Sequence, residues 1–278
     1  MQAASPGREA NAKLIDCHSH LDSFSDEEIG QILIRAQDAG VGAVITAGTT
    51  PETSARAVQL AMTFPTMYAG VGVHPMDLTG PIDEHAYRTL HSLATSTNKV
   101  VTISEIGLDF MEGMPDRAVQ YQAFREQIRL ARELELPIVF HSREAQSETL
   151  KVLREERAYE VSGAMHYFQG DLETARQAID LGFYISLARP LLRLPELQKV
   201  AAQLPLESIV IETDAAPQPF KSKRESWTEP RHCRAVAEKL SELRLVPIEK
   251  IEESTTQNAL TIFPTLRGNL GGASLVGV

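Results

Sequence analysis

The segment LIDCHSHLD, residues 14–22, starts with a short apolar run and ends in two closely spaced histidines and an aspartate. Such a run is typical of a buried strand. An open doubly wound sheet usually carries a glycine-rich phosphate-binding turn after an early strand, whereas this chain passes into Cys-His-Ser-His. The segment therefore favours a fold in which polar side chains gather at the carboxyl ends of strands.

Further apolar runs rich in β-branched residues recur along the 278-residue chain and alternate with amphipathic stretches such as residues 115–136. The predicted strands are residues 14–17, 41–47, 67–73, 100–105, 137–140, 163–166, 182–186 and 208–211. Eight strands with crossover helices in about 250 residues predict an α/β protein, a single-domain (β/α)8 TIM barrel. An open doubly wound sheet is the structural alternative.

The barrel is expected to span residues 14–266, between a polar N-terminal extension (residues 1–13) and a flexible tail (residues 267–278). With 27 basic and 37 acidic residues the net charge is −10, which argues against a surface that coats nucleic acid. No apolar run is long enough to span a membrane. Two cysteines give no disulfide framework, so a reducing, cytoplasmic location is expected.

Histidines are concentrated at the predicted strand ends. Five of the eight histidines in the chain lie at or just after a strand's carboxyl end, where about one would be expected by chance and where barrel active sites assemble. They are His18, His20, His74, His141 and His166. Alternate residues of an extended segment point the same way, so His18 and His20 can both face the barrel mouth.

Carboxylates occupy the same predicted rim. Glu105 lies in an apolar run, where its burial requires a metal or an ion pair with an arginine. Asp109 either orients a ligand or caps a loop. Asp214 is placed to bind a metal and to accept a proton from an attacking water, although Asp214 and Glu212 could also be turn or cap residues.

Together these imidazoles and carboxylates are sufficient for a centre of two divalent metal ions, in which Glu105 could bridge the pair. Zn, Mn, Mg, Fe and Ni all accept such ligands, so the metal stays open. The chemistry that suits this centre is hydrolysis of a phosphoester or amide-like bond.

An ordered set of motifs resembles the TatD family of metal-dependent deoxyribonucleases, within the wider amidohydrolase-like barrels. The matching segments are DCHSHLD (16–22), GVHP (72–75), SEIGLDF (104–110), FHSREA (140–145), HYFQG (166–170), IETDAAP (211–217) and TTQNALTIFP (255–264). The resemblance implies two divalent metals and hydrolysis of DNA, expected to be exonuclease-like in the 3′–5′ direction on a single strand or an end.

The resemblance also implies a ligand set, which is His18, His20, Glu105, His141, His166 and Asp214. Catalytic roles fall to Asp214 and Glu105. His74 matches a histidine expected near the substrate phosphate, or it could hold its loop by a hydrogen bond. The sequence departs from the family pattern in residues 166–170 and 226–230, which leaves substrate preference less certain than metal binding.

A basic loop follows the last predicted strand, with Lys221, Lys223 and Arg224 close to Trp227. These side chains could bind phosphates and stack on a base, or they could form a solvated basic loop. Arg143 is a further candidate for substrate binding. The rival functions are an amidohydrolase-type hydrolase of a small amide, lactone or phosphoester, and a metal-stabilised scaffold; a monomer is favoured.

Overall fold

A computed structural model describes residues 13–270, in which eight parallel strands alternate with helices. The strands are β1 (Leu14–Ser19), β2 (Val41–Ala47), β3 (Met67–Val71), β4 (Val100–Asp109), β5 (Ile138–Arg143), β6 (Gly163–Met165), β7 (Phe183–Leu187) and β8 (Ile209–Ile211). Each strand pairs with the next along the chain, so the sheet curls into a nearly closed barrel. The predicted (β/α)8 fold is confirmed, and all carboxyl ends of the strands meet at one face.

The helices pack around this sheet. They are α1 (Asp26–Asp38), α2 (Pro51–Thr63), α3 (Glu84–Ala94), α4 (Arg117–Glu133), α5 (Gln146–Glu155), α6 (Leu172–Asp180), α7 (Pro195–Gln203), α8 (Cys233–Arg244), α9 (Ile248–Ile262) and α10 (Arg267–Leu270). Local sequence explains where they begin. Ser25 caps α1 by accepting a hydrogen bond from the backbone N–H of Glu28, and the Glu28 carboxylate accepts one from the Ser25 backbone.

Strand β4 is longer than the sequence predicts, because residues 106–109 continue to pair with β5. Gly107 lies opposite His141 and has a φ of +145°, a conformation that is essentially restricted to glycine. A Cβ atom at this position would lie 2.1 Å from the carbonyl oxygen of His141. Gly107 therefore allows the two strands to approach closely beside the residues of the barrel mouth.

The seam between the first and last strands is joined at the carboxyl end of the barrel. Ser19 forms an isolated parallel bridge with Ala215. The backbone N–H of His20 donates to the Ala215 carbonyl at 2.7 Å, and that of Asp214 donates to the His18 carbonyl at 3.0 Å. The backbone bonds that join the seam are thus made by the residues that bring polar side chains to the mouth, or by their immediate neighbours.

The core includes Phe263 and Leu266, which lie close to the end of the described residues. A large buried cluster joins strands and helices, and a second one joins strand residues such as Ile15 and Val210 to Phe263 and Leu266. Helix α10 covers the first four residues of the predicted flexible tail, while residues 1–12 and 271–278 lie outside the described part of the chain. Among residues 13–270, no helix combines the length and apolarity that crossing a bilayer requires.

Candidate metal centre

Glu105 is the centre of a cluster of imidazoles at the barrel mouth. Its side chain is 4% exposed, and nitrogens of all five histidines at the strand ends lie within 3.4 Å of its two oxygens. Oε2 faces Nε2 of His18 (3.4 Å) and of His20 (3.2 Å), and Oε1 faces Nε2 of His74 (3.2 Å), Nδ1 of His141 (3.3 Å) and Nε2 of His166 (2.6 Å). The sequence left two interpretations of this buried carboxylate, an ion pair with an arginine or a metal ligand. In the structure it is surrounded by histidines.

His18 and His20 both face this cluster, as the alternation of side chains along β1 predicts. The Nδ1 atom of His20 lies 3.0 Å from the Ala47 carbonyl, which can only accept, so Nδ1 carries the proton. The Nε2 atoms of the two rings are 3.1 Å apart. In the neutral His20 ring the lone pair on Nε2 therefore points toward Glu105 and His18, as expected of a metal-binding imidazole.

Asp109 orients the imidazole that β5 contributes. Its Oδ2 atom lies 2.9 Å from Nε2 of His141, which leaves Nδ1 of that ring facing Glu105. The same oxygen lies 2.7 Å from Nη2 of Arg143, and Oδ1 accepts the backbone N–H of Met111 at 3.1 Å. Asp109 therefore both orients the His141 ring and caps the loop that follows β4.

Glu212 holds a similar position behind His166, a role that the sequence analysis missed. Its Oε1 atom lies 3.3 Å from Nδ1 of His166 and accepts the backbone N–H of Tyr167 at 2.6 Å. Its Oε2 atom accepts the hydroxyl of Ser186 at 2.5 Å. The signal that could have identified it is a second carboxylate in the apolar run SIVIETD at the end of β8.

Asp214 lies on the solvent side of the cluster. Its Oδ1 atom is 3.5 Å from Nε2 of His20, and its side chain is 28% exposed, whereas that of Glu105 is 4% exposed. Asp214 adopts a left-handed backbone conformation with φ of 52°, which short polar side chains tolerate better than others. Next to it, the backbone N–H and hydroxyl of Thr213 both donate to the buried Asp16 carboxylate, which fixes the end of β8 against β1.

His74 holds its own loop by a hydrogen bond, one of the two roles that sequence leaves open, and also faces the cluster. Its Nδ1 atom accepts the backbone N–H of Met76 at 3.1 Å, so the ring does hold its own loop. This acceptor role leaves Nδ1 without a proton, while Nε2 faces Glu105 at 3.2 Å. His74 is buried beside the cluster and can face either a cation or a substrate group.

Electrostatics within the cluster favour an ionised carboxylate. Burial alone would raise the pKa of Glu105, but its interactions with His166, His74 and His141 outweigh it and hold the pKa well below its usual value. Burial would lower the pKa of His20, yet its hydrogen bond to Glu105 and the charge of that group raise it to about 9. At His18, burial and the charge of His166 lower the pKa. A buried anion ringed by imidazoles attracts cations, which compete with protons for the same atoms.

The side chains present fit divalent metal ions. Three overlapping groups bring their ligand atoms within 4.8 Å of one another. They are His18 with Glu105 and His166, His18 with His20 and Asp214, and His74 with Glu105 and His141. Within the described residues both ring nitrogens of His166 are buried and lack a hydrogen-bond partner of good geometry, and Nε2 faces Glu105, so this nitrogen is available to a cation.

The residues predicted to bind substrate fall into two places. His74 and Arg143 lie at the centre, where Arg143 is held by Asp109 with its side chain 42% exposed. The other four lie on the loop after β8. Lys223 is exposed there, whereas Lys221 bonds to Gln218 and to the Ser226 carbonyl.

Arg224 and Trp227 on the same loop contact each other and the body of the protein. The Arg224 guanidinium lies 4.6 Å from the Trp227 ring centroid and 5.1 Å from that of Phe24, and its Nη1 atom donates to Glu229 at 3.2 Å. The Trp227 ring also packs on Phe24, with centroids 6.0 Å apart. These contacts anchor the loop, so a substrate would meet Arg224 and Trp227 as an already formed surface.

A barrel in which histidines and carboxylates surround one buried glutamate is typical of the class of metal-dependent hydrolases. The chain matches the family model described as TatD related DNase over residues 15–264. It is 33% identical over 256 residues to the uncharacterized metal-dependent hydrolase YabD of Bacillus subtilis, covering 90% of this chain and 98% of that protein. The chain therefore belongs to the TatD family, as its motifs predict.

Two further relatives cover nearly the whole chain. The human protein named deoxyribonuclease TATDN3 is 32% identical over 274 residues, which is 94% of this chain and 98% of that protein. The crystal structure of YJJV, a TatD homolog from Escherichia coli K12, superposes with a TM-score of 0.80 at 30% identity, covering 91% of this chain and 99% of that one. Family membership thus rests on both sequence and fold.

Proposed function

We propose that the chain is a deoxyribonuclease that hydrolyses phosphodiester bonds with two divalent metal ions held by His18, His20, Glu105, His141, His166 and Asp214. The observation that carries the proposal is Glu105, whose two oxygens each face imidazoles and can be shared by two cations. The name of the human relative, deoxyribonuclease, supports DNA as the substrate class.

Two divalent ions in such a centre would activate a water molecule and neutralise charge on the phosphate during in-line displacement. The protein's own residues then have defined tasks. Asp214, at the solvent side of the cluster, accepts the proton of the attacking water at its carboxylate. Asp109 holds the ring of His141 by its outer nitrogen, and the Glu212 carboxylate lies 3.3 Å from the outer nitrogen of His166.

The substrate phosphate is proposed to bind between His74 and Arg143. His74 presents Nε2 at the centre, and the guanidinium of Arg143 is fixed by Asp109 while part of it stays open to solvent. A fixed guanidinium suits phosphate because it donates through a planar fork. Lys221, Lys223, Arg224 and Trp227 would contact nucleotides further from the cleaved bond, as a basic surface with an indole.

The test is a panel of substrates across several divalent metals. We expect protein reconstituted with Mn²⁺, Mg²⁺, Zn²⁺, Ni²⁺ or Fe²⁺ to shorten a 5′-end-labelled single-stranded DNA in steps from its 3′ end. RNA and duplex DNA of the same sequence, and bis-p-nitrophenyl phosphate, would rank the substrate classes. Turnover of a small amide or lactone without cleavage of any phosphodiester would instead establish the amidohydrolase alternative.

Two variants link this activity to the centre. Asp214→Asn and Glu105→Gln should each lower DNA hydrolysis by at least about 100-fold, because both remove a charge that the mechanism uses. Asp180→Asn, an exposed position at the end of α6, is the matched control and should keep full activity. Activity retained in both Asp214→Asn and Glu105→Gln would refute the assignment.

A further inference from the structure

Three glutamines of helix α4 each bind the backbone N–H and the backbone C=O of one residue outside the helix. Gln120 binds Asp109 (2.8 and 2.8 Å), Gln122 binds Ile82 (2.8 and 2.9 Å) and Gln127 binds Val73 (2.6 and 3.0 Å). In each pair the carboxamide accepts from the N–H through Oε1 and donates to the C=O through Nε2. Such a two-point contact fixes the position and the orientation of the bound residue at once.

Gln127 fixes the chain next to His74. Its side chain is 1% exposed, and it bonds to Val73, the residue before the histidine. The backbone N–H of His74 itself donates to the Thr49 carbonyl at 2.9 Å. With both consecutive N–H groups bound, the imidazole of His74 is held where its Nε2 atom faces Glu105.

Gln120 fixes the residue that orients His141. It is fully buried, and its carboxamide binds the backbone of Asp109 on both sides. The Asp109 carboxylate in turn contacts Nε2 of His141 and Nη2 of Arg143. Helix α4 is thus connected to an imidazole facing Glu105 through one intervening residue.

Gln122 makes the same kind of contact in a different place. It binds Ile82, which lies just before α3 and beyond the short turn Pro75–Asp77 that follows His74. Gln122 is also less buried than the other two glutamines. Gln122 therefore serves as an internal control for Gln120 and Gln127, because its two-point contact is made away from the strand ends.

We infer that Gln120 and Gln127 are positioning residues for the metal centre: they set the places of Asp109 and His74 before any ion or substrate binds. The inference rests on the proposed metal centre but not on DNA as the substrate. His74 contacts the proposed ligand Glu105, and Asp109 contacts the proposed ligand His141, so each lies directly behind a ligand. Displacing such a residue typically changes metal affinity by about 10- to 100-fold. The carboxamides thus act on the centre through the backbone, without reaching the cluster themselves.

The experiment compares Gln120→Met, Gln127→Met and Gln122→Met. Methionine keeps the approximate length of the side chain and removes the two hydrogen bonds to the bound residue; at Gln120 it also removes the one that Nε2 donates to the Pro115 carbonyl at 2.8 Å. Each variant is titrated with Co²⁺ as the probe, and affinity and visible absorption spectrum are measured beside the thermal unfolding midpoint. We expect all three midpoints to fall by a few degrees.

Metal binding should separate the three variants. Gln120→Met and Gln127→Met should bind Co²⁺ at least about tenfold more weakly than wild type and with an altered spectrum, whereas Gln122→Met should stay within about twofold. If all three variants bound Co²⁺ with the same affinity and gave the same visible absorption spectrum, the inference would be overturned. Failure of the wild-type protein to bind Co²⁺ at the centre would instead count against the proposed metal centre itself.

A second series of variants provides the test if a methionine variant does not fold. Gln120→Asn, Gln127→Asn and Gln122→Asn keep the neutral amide but shorten the side chain by one methylene, so the two-point contact is lost without a change in charge. The same ordering of Co²⁺ affinities is expected. The inference fails if the first two asparagine variants bind Co²⁺ as Gln122→Asn does.

Discussion

The carboxylate of Asp109 lies 2.9 Å from the Nε2 atom of His141 on the adjacent strand. Because Nε2 is engaged, the ring can offer only Nδ1 to Glu105, and the carboxylate makes that nitrogen more basic. The pair therefore sets both the orientation and the ligand strength of this imidazole.

Replacing Asp109 tests this relationship. Asp109→Asn keeps the shape of the side chain and removes its charge, so we expect phosphodiester hydrolysis and metal affinity to fall by about 10- to 100-fold. Activity is measured on bis-p-nitrophenyl phosphate and metal content by elemental analysis. Asp38→Asn, at an exposed position in α1, is the matched control. Full activity with full metal content in Asp109→Asn would contradict the prediction.

Metal removal should change stability as well as activity. A ligand that binds only the folded state at 100 times its Kd stabilises the protein by about 2.7 kcal/mol. For a chain of this size we expect the melting temperature to rise by about 5–10 °C when Mn²⁺ or Zn²⁺ is added to chelator-treated protein. The same addition should leave Glu105→Gln nearly unchanged, and an equal shift in that variant would place the binding elsewhere.

Gly107 should tolerate no side chain. In Gly107→Ala the Cβ atom would meet the His141 carbonyl oxygen at 2.1 Å in a backbone conformation unfavourable to alanine, so we expect a loss of at least about 2 kcal/mol. Gly30→Ala is the matched control, because its Cβ would meet no atom within 4 Å inside α1, and it should stabilise by about 0.5–1 kcal/mol. Urea unfolding at pH 7 compares the two, and a neutral Gly107→Ala would disprove the packing argument.

Glu229 should make stability depend on pH. It is buried, and Arg35 donates to both of its oxygens at 2.9 Å. Burial raises the pKa of Glu229, but the hydrogen bonds and charge of Arg35, with the charges of Arg231 and Arg224, outweigh it and lower the pKa below 4.5.

A lowered folded-state pKa contributes stability above the unfolded pKa and loses it as the pH falls through the folded value. Glu229→Gln should therefore cost about 2 kcal/mol at pH 7, and the difference from wild type should shrink as the pH falls below 4.5. Glu196→Gln, whose side chain is 84% exposed, serves as the control. A difference that does not vary between pH 7 and pH 3, measured by urea unfolding, would exclude this origin.

Sequence predicts the barrel and the convergence at its mouth because both depend on local patterns. Apolar runs mark the strands, and His18, Glu105 and Asp214 follow them at their carboxyl ends. The prediction stops where a role depends on a contact distant in sequence. Glu212 and Asp109 are visible as carboxylates, but only the fold shows which imidazole each one faces.

The glutamines of α4 differ both from the residues that local patterns identify and from the carboxylates whose partners only the fold shows. Gln120 and Gln127 lie two helical turns apart on the face that also buries Phe124 and Ile128. A polar residue on an apolar helix face is a readable signal, because it must find hydrogen-bond partners inside the protein. Its partners, Asp109 and Val73, follow from the tertiary arrangement and could not be identified from the pattern.

The seam of the barrel carries a consequence for folding. His18 lies near the end of the first strand, His20 directly follows that strand, and Asp214 follows the last strand. A cation bound by all three would therefore tie together two segments that the chain brings together only when the fold is complete. Closing so long a loop has a high entropic cost, and an ion at this point would act as a staple across it. Ion loss should then be felt first as faster amide hydrogen exchange in β1 and β8, before the remaining strands respond.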